Sequence, residues 1–319
     1  MRETEVLIVG GGPAGSACAE RLRQQGVDCL VLDQAAFPRF KPCAGWLSPE
    51  AVGYIQLDPS VYPHSFTVIP DFRISVRGFQ FGLRAKQYAI RRIEFDHWLL
   101  QRSGAEVIQH AVKSILREGE RYIIDDAYAA RFLVGAGGTY CPVYRTFFKE
   151  NDPRPRETLI AAQEEEFAYP FDDPTCRLWF GENNLPGYAW YVPKANGFVN
   201  VGVGGLAERL TAQHDSLKNH WNLLIENLER SGLVRGHDYK PSAHSYYLRR
   251  RRTSLRNGNA FLVGDAAGLA TSDLGEGIGP SMRSGQLAAD AIATGSEYSV
   301  ERIPRGSVFA LLRKAKFHR

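Results

Sequence analysis

The sequence predicts an α/β protein in two parts: a parallel-sheet domain assembled from separated stretches of chain, and a second, mainly antiparallel β domain. Three observations carry this. The N-terminus reads apolar run, glycine turn, helix, apolar run; a second strand-glycine-helix pattern begins at Ala260; and short alternating runs fill the interval between them.

Val6 to Gly10 is uninterruptedly apolar, Ala14 to Gln25 suits a helix, and Cys29 to Leu32 is apolar again, which makes a βαβ unit. Pro38 to Arg91, rich in Pro, Gly and aromatics, predicts loops with a few antiparallel strands. Arg92 to Gln101 predicts a helix that Ser103-Gly104 stops. The runs Glu106 to His110, Tyr122 to Ile124 and Phe132 to Val134 lead to Gly135-Ala136-Gly137-Gly138, and Asn151 to Glu157 reads as a linker. Leu159 to Phe167, Arg177 to Phe180, Tyr188 to Val192 and Phe198 to Val203 are spaced like an antiparallel meander. Leu217, Trp221, Leu224, Ile225 and Leu228 mark an amphipathic helix that closes it. The chain then returns to a strand, Ala260 to Val263, and a helix from Gly279 to Ala293. The expected segments are 1–48, 89–150 and 251–297 for the parallel-sheet domain, 49–88 and 151–250 for the β domain, and 298–319 for a short basic tail.

With 319 residues, 44% of them hydrophobic, each part can bury its own core. Five cysteines without CxxC spacing suggest neither a disulfide framework nor a zinc site, and the eight histidines show no ligand spacing, so no metal is expected. That usage fits a reducing, cytoplasmic compartment. No signal peptide is read, and no stretch approaches the roughly 18 apolar residues of a membrane span. No nucleic-acid partner is expected at a net charge of +4. The run Arg249 to Arg252 and the basic residues Arg313, Lys314, Lys316 and Arg319 read first as a solvated face, with peripheral membrane contact left open.

Gly10, Gly12 and Gly15 form G-x-G-x-x-G between strand and helix, and Pro13 and Ala14 open the helix. The first glycine permits the tight turn, the second lets N–H groups approach a pyrophosphate, and the third lets helix pack on strand, with the helix dipole adding positive potential. Asp33, followed by Gln34, ends the next strand about 20 residues on, where a carboxylate accepts from ribose hydroxyls. This is a Rossmann-like dinucleotide site. At the other end of the chain Gly264-Asp265-Ala266-Ala267-Gly268 puts a carboxylate at the edge of a strand, and Gly275, Gly277 and Ile278 lead into the last helix, whose N–H groups favour negative charge on a bound ring.

Together these motifs resemble the FAD-binding signature of p-hydroxybenzoate-hydroxylase-like flavoproteins, which implies a Rossmann-like FAD-binding domain of glutathione-reductase type beside a β substrate domain. Within that group the chain is similar to the geranylgeranyl reductase family. Phe37-Pro38-Arg39-Phe40-Lys41-Pro42-Cys43-Ala44-Gly45 resembles that family's R-x-K-x-C-G-G segment, Arg92-Ile93-Glu94-Phe95-Asp96 its R-x-x-F-D helix start, and Tyr188-Ala189-Trp190-Tyr191-Val192-Pro193-Lys194 its Y-x-W-x-F-P-K motif. The resemblance implies that Arg39, Ala44, Gly45, Arg92, Gly135, Ala136, Gly137 and Gly264 join the fingerprint residues around FAD. It further implies that Asp265 binds the ribityl chain, that Cys43 lies at the flavin's reactive edge, and that Tyr188 and Trp190 line the substrate cavity.

The implied activity is reduction of carbon-carbon double bonds in an isoprenoid lipid or quinone side chain. The electron donor is NAD(P)H or a ferredoxin-like protein, and Gly137, where the wider group carries an aspartate, weighs against direct nicotinamide reduction. Ala44 replaces a glycine of the cysteine motif, Ser272 stands where many members have proline, and the short stretch after Ala293 leaves any lid absent or supplied by a partner. Two alternatives stay open at this stage. One is an aromatic monooxygenase or halogenase, because Tyr188 to Pro193 also resembles W-x-W-x-I-P. The other is a flavin- or lipid-binding protein without turnover.

Overall fold

The computed structural model describes residues 1–250, 254–307 and the backbone of 316–318. The N-terminal sheet runs in the order Arg256–Asn257, Ala260–Leu262, Tyr128–Gly135, Arg2–Val9, Cys29–Asp33, Glu106–Gln109, with every neighbour after the first pair parallel. Successive residues of the first strand explain its unbroken apolar run. Val6 and Ile8 face the helices Pro13–Gln24 and Ile278–Thr294 through Cys18, Leu22, Ala288 and Ile292. Leu7 and Val9 face the opposite layer, where Ile115, Tyr122, Ile124 and Val143 pack. A parallel sheet covered on both faces needs both residues of each pair to be apolar.

The second sheet runs Ser242–Tyr247, Leu159–Ala168, Phe198–Leu206, Gly187–Lys194, Cys176–Phe180, Phe66–Val76, Phe79–Ile90, Lys316–His318. The region read as loops with a few strands between Pro38 and Arg91 thus contains a long hairpin, and a short helix, Pro49–Tyr54, capped by Ser48 accepting from the Ala51 N–H. The last three strands of the expected meander are consecutive and antiparallel, but Leu159–Ala168 pairs with Phe198–Leu206, and Cys176–Phe180 instead pairs parallel with Phe66–Val76. Side chains alternate here too. Tyr188, Trp190 and Val192 face the first domain, and Ala189 and Tyr191 face the helix Leu217–Arg230 through Trp221, Leu224 and Leu228.

Two segments depart from the expected limits. Trp46–Leu47 pairs with Phe79–Ile90 and so belongs to the second sheet before residue 48 is reached. Of the expected tail, Tyr298 and Ile303 are buried in the first domain, the Tyr298 hydroxyl donating to the Leu262 carbonyl at 2.8 Å.

The arginine run is not a solvated face where it is described. Arg249 is buried and donates to the carbonyls of Val300, Ile303 and Pro304, while Arg250 pairs with Asp152; Arg251 and Arg252 lie outside the described residues. Of the basic tail, Arg313, Lys314 and Arg319 also lie outside them, and Lys316 has its backbone opposite Arg84. Among the described residues no helix is long and apolar enough to cross a membrane, and no His, Cys, Asp and Glu cluster is placed to hold a metal ion.

Candidate active site

One cleft of about 1350 Å³ runs between the sheets, from the glycine turn at Gly10 and Gly12 to the apolar wall of Ala162, Leu178, Trp190 and Val192. Gly10 has φ +113°, and a Cβ there would stand 2.4 Å from the Ala136 carbonyl oxygen, so only glycine makes this turn. The helices Pro13–Gln24 and Ile278–Thr294 begin at Gly12 and Gly277, neither of which supplies a side-chain cap. Their first N–H groups therefore open on the cleft from two directions, an arrangement that fits a dinucleotide with its central pyrophosphate at one helix end and an electron-accepting ring at the other.

Most of the expected site residues meet in this cleft: Gly10, Gly12, Pro13, Ala14, Asp33, Gln34, Arg39, Cys43, Ala44, Arg92, Ala136, Gly137, Tyr188, Trp190, Asp265, Gly275, Gly277 and Ile278. Gly15, Gly45, Gly135 and Gly264 do not line it. They stand behind its surface, each pressed against neighbouring atoms: Gly15 on the Gly10 carbonyl, Gly45 on the Ile90 carbonyl, Gly135 on Leu262 and Val143, and Gly264 on Ala14 and Ser281. Their contribution is close packing that sets the shape of the cleft.

The Asp33 carboxylate is braced by the N–H groups of Gly11 at 2.7 Å and Ala35 at 2.9 Å. Arg39 stands 3.5 Å from Asp96, which also holds Arg92 in a bidentate pair at 2.6 and 2.8 Å. Burial alone would lower the Arg92 pKa, but Asp96 and Cys43 overcome it and leave the guanidinium above its ordinary value. The site thus keeps a permanent positive charge beside Cys43. The Cys43 thiol accepts from the Gly45 N–H at 3.3 Å. The Trp190 indole donates to Asn200 at 2.7 Å, and the Asn200 amide reaches the Cys43 carbonyl at 3.5 Å, so the sheet and the cysteine loop are linked through one side chain.

Several residues of the site were not singled out from the sequence. Glu164 is 1% exposed, lines the cleft, and has no hydrogen-bond partner on either oxygen among the described residues. Burial pushes its pKa up to about 8, with Glu166 adding to the shift and Lys194, Lys41 and Arg92 opposing it. His244 is pushed down to about 3 by burial, Lys41 and Arg92, and is neutral at pH 7. The phenols of Tyr188 and Tyr246 are both raised by burial, and Tyr188 donates to the Leu274 carbonyl at 2.5 Å. Alternation along Leu159–Ala168 carries the missed signal: Glu164 shares its face with Ile160 and Ala162, which are buried.

Residues 3–56 match the FAD binding domain family, and residues 157–236, which contain Glu164, Tyr188 and Trp190, match the geranylgeranyl reductase catalytic domain. The chloroplastic geranylgeranyl diphosphate reductase of Arabidopsis thaliana is 27% identical over 98% of this chain and 70% of that protein. The menaquinone reductase of Mycobacterium tuberculosis H37Rv is 28% identical over 90% of this chain and 76% of its own length. By these matches the chain is similar to the geranylgeranyl reductases, and it is an FAD-dependent oxidoreductase. A geranylgeranyl bacteriochlorophyll reductase-like protein from Thermoplasma acidophilum shares the fold with a TM-score of 0.79 at 23% identity, covering 92% of this chain and 78% of that one. The cofactor is FAD.

Proposed function

We propose that the protein reduces carbon-carbon double bonds of an isoprenoid chain seated against the second sheet. The observation that carries this reading is the continuity of the cleft: the glycine turn and both open helix ends share one cavity with a wall of Ala162, Leu178, Trp190 and Val192. Such a wall accepts an apolar chain and excludes water from the reacting carbons.

In this reading Gly10, Gly12, Pro13 and Ala14 hold the pyrophosphate, Asp33 and Gln34 the adenosine end, and Asp265 the ribityl chain. Arg39 and Arg92 supply positive charge, and Gly275, Gly277 and Ile278 bring the last helix to the ring. Bound FAD, once reduced, supplies the hydride. Cys43 and Ala44 edge the reacting region, and Tyr188 and Trp190 hold the chain beside it.

The test is anaerobic. Pre-reduced enzyme mixed with geranylgeranyl diphosphate or a geranylgeranyl glycerophospholipid should return to the oxidised flavin spectrum in a single turnover, with a product heavier by two hydrogens for each bond reduced. A flavin that is reoxidised by oxygen alone, whatever isoprenoid is offered, would overturn the reading.

We further propose that the donor is a ferredoxin-like protein. Gly137 lines the cleft, and a Cβ there would already stand 3.3 Å from the Cys141 Cα, so the aspartate of the wider group is poorly accommodated. NADH and NADPH are expected to reduce the flavin well below about 10 per second, the median of enzyme turnover. Stopped-flow reduction at or above that rate would sink the donor proposal.

A further inference from the structure

We infer that Glu164 is the acid of the reduction, giving its carboxyl proton to the alkene carbon that does not receive the hydride. The inference rests on the isoprenoid reading above and names a residue for the proton that a double-bond reduction needs besides the hydride. Leaving a buried carboxyl group without a hydrogen-bond partner costs stability, and native structures seldom retain one without a use. Here the group is 1% exposed, both oxygens lack a partner among the described residues, and the side chain lines the cleft beside Trp190. Gly202 makes room for that pair: a Cβ there would stand 2.2 Å from the Trp190 ring and 2.7 Å from the Glu164 Cβ.

Other acids lining the cleft are engaged elsewhere or weaker: Glu276 is hydrogen-bonded by Ser307 and Ser48, and a thiol such as Cys43 is ordinarily a weaker acid than a carboxyl. The Tyr188 hydroxyl donates to a carbonyl, burial raises the Tyr246 phenol, and His244 is a neutral imidazole. The groups that act on Glu164 are Glu166 on its own strand, Lys194 and Tyr188 on Gly187–Lys194, Tyr246 on Ser242–Tyr247, Arg92 at its helix start, and Lys41 in the cysteine loop, while the paired strand Phe198–Leu206 carries no titratable residue. Lys194 is already bound to Glu166. The net result is a carboxyl group that keeps its proton at pH 7, with Lys41 and Arg92 in electrostatic reach to steady the carboxylate left behind.

The step balances. Hydride from reduced flavin forms one C–H bond and carries both electrons; the Glu164 O–H bond breaks, and its proton forms the second C–H bond as the π bond is consumed. Glu164 then regains a proton from solvent between turnovers.

The test compares FAD-loaded wild type, Glu164→Gln and Glu164→Asp, each pre-reduced and mixed with geranylgeranyl diphosphate without oxygen. Glu164→Gln is expected to slow the single turnover by about 100-fold or more, as general acids do. The wild-type rate should fall as pH rises through about 8, a limb that Glu164→Asp keeps and Glu164→Gln lacks. The melting temperature supplies a readout independent of turnover. A folded pKa raised above the unfolded one contributes stability that is fully present below the ordinary carboxyl range and is lost as pH rises through about 8. Wild type should therefore lose ground to Glu164→Gln across that window. Equal single-turnover rates for wild type and Glu164→Gln, or a melting-temperature difference that is flat with pH, would overturn the assignment of Glu164 alone. A wild-type enzyme that no isoprenoid reoxidises would overturn the reading on which it rests.

Discussion

Gly15→Ala is expected to yield protein that has lost FAD. The added Cβ would stand 1.9 Å from the Gly10 carbonyl oxygen, 3.0 Å from its carbon and 3.2 Å from the Ile8 side chain. Two of these three atoms are backbone, so no rotamer change relieves the clash, and the helix Pro13–Gln24 must lift from the strand it packs on. Overpacking of this kind costs about 1–3 kcal/mol, and the displaced end is the one whose N–H groups open on the cleft. A weakening of FAD binding by about 100-fold corresponds to ~2.7 kcal/mol and is the expected scale. Gly53→Ala is the control, because nothing lies within 4 Å of a Cβ at that position. The measurement is the flavin-to-protein absorbance ratio of purified protein, followed by titration with FAD. A Gly15→Ala protein that purifies with a full complement of flavin would contradict the close-packing role.

Lys194→Met is expected to be strongly destabilising. Lys194 is fully buried and pairs with Glu166, whose other oxygen accepts from Arg91 at 2.8 Å. Its ammonium also stands 2.9 Å from where a Cβ on Gly45 would lie, directly under the cysteine loop. Breaking a buried pair from one side costs up to roughly 3–5 kcal/mol, an upper bound here because Glu166 keeps its Arg91 partner. The double variant Lys194→Met/Glu166→Gln should recover part of that loss, and Lys240→Met, at an exposed pair with Asp238, should change little. Thermal melts of the four proteins give the answer. A single Lys194→Met variant that melts with the Lys240→Met control would rule out the buried pair as a stabilising element. Since Lys194 favours the charged form of Glu164, its removal should also move the alkaline limb of turnover to higher pH.

Much of the first domain was legible because its signals are local. The run Val6 to Gly10, the fingerprint glycines and the helix at Arg92 each express a periodicity or turn requirement within a few residues. The helix Pro49–Tyr54 was equally local, announced by Ser48-Pro49-Glu50 as cap, first-turn proline and first-turn acid, yet it is too short to show periodicity. Cys43, Tyr188 and Trp190 were found through motif resemblance. Glu164, in the run Gln163-Glu164-Glu165-Glu166, looks like a solvated acidic strand until something covers one of its faces.

By itself the sequence determined the βαβ unit, the dinucleotide fingerprint, the return of the chain to the first sheet at Ala260, and the alternation that puts Tyr188 with Trp190. Those follow from backbone sterics and side-chain period, which act over a turn or a strand. Only the tertiary structure decided that Cys176–Phe180 pairs parallel with Phe66–Val76, that Trp46–Leu47 joins the second sheet, that Arg249 is buried on the carbonyls of residues 300–304, and that Glu164 sits in the cleft with no hydrogen-bond partner among the described residues. Strand partnership and the burial of a charge depend on what arrives from distant parts of the chain. The same residue is a cheap solvated charge or a costly buried one according to that cover; local alternation shows which face it shares, not what covers that face.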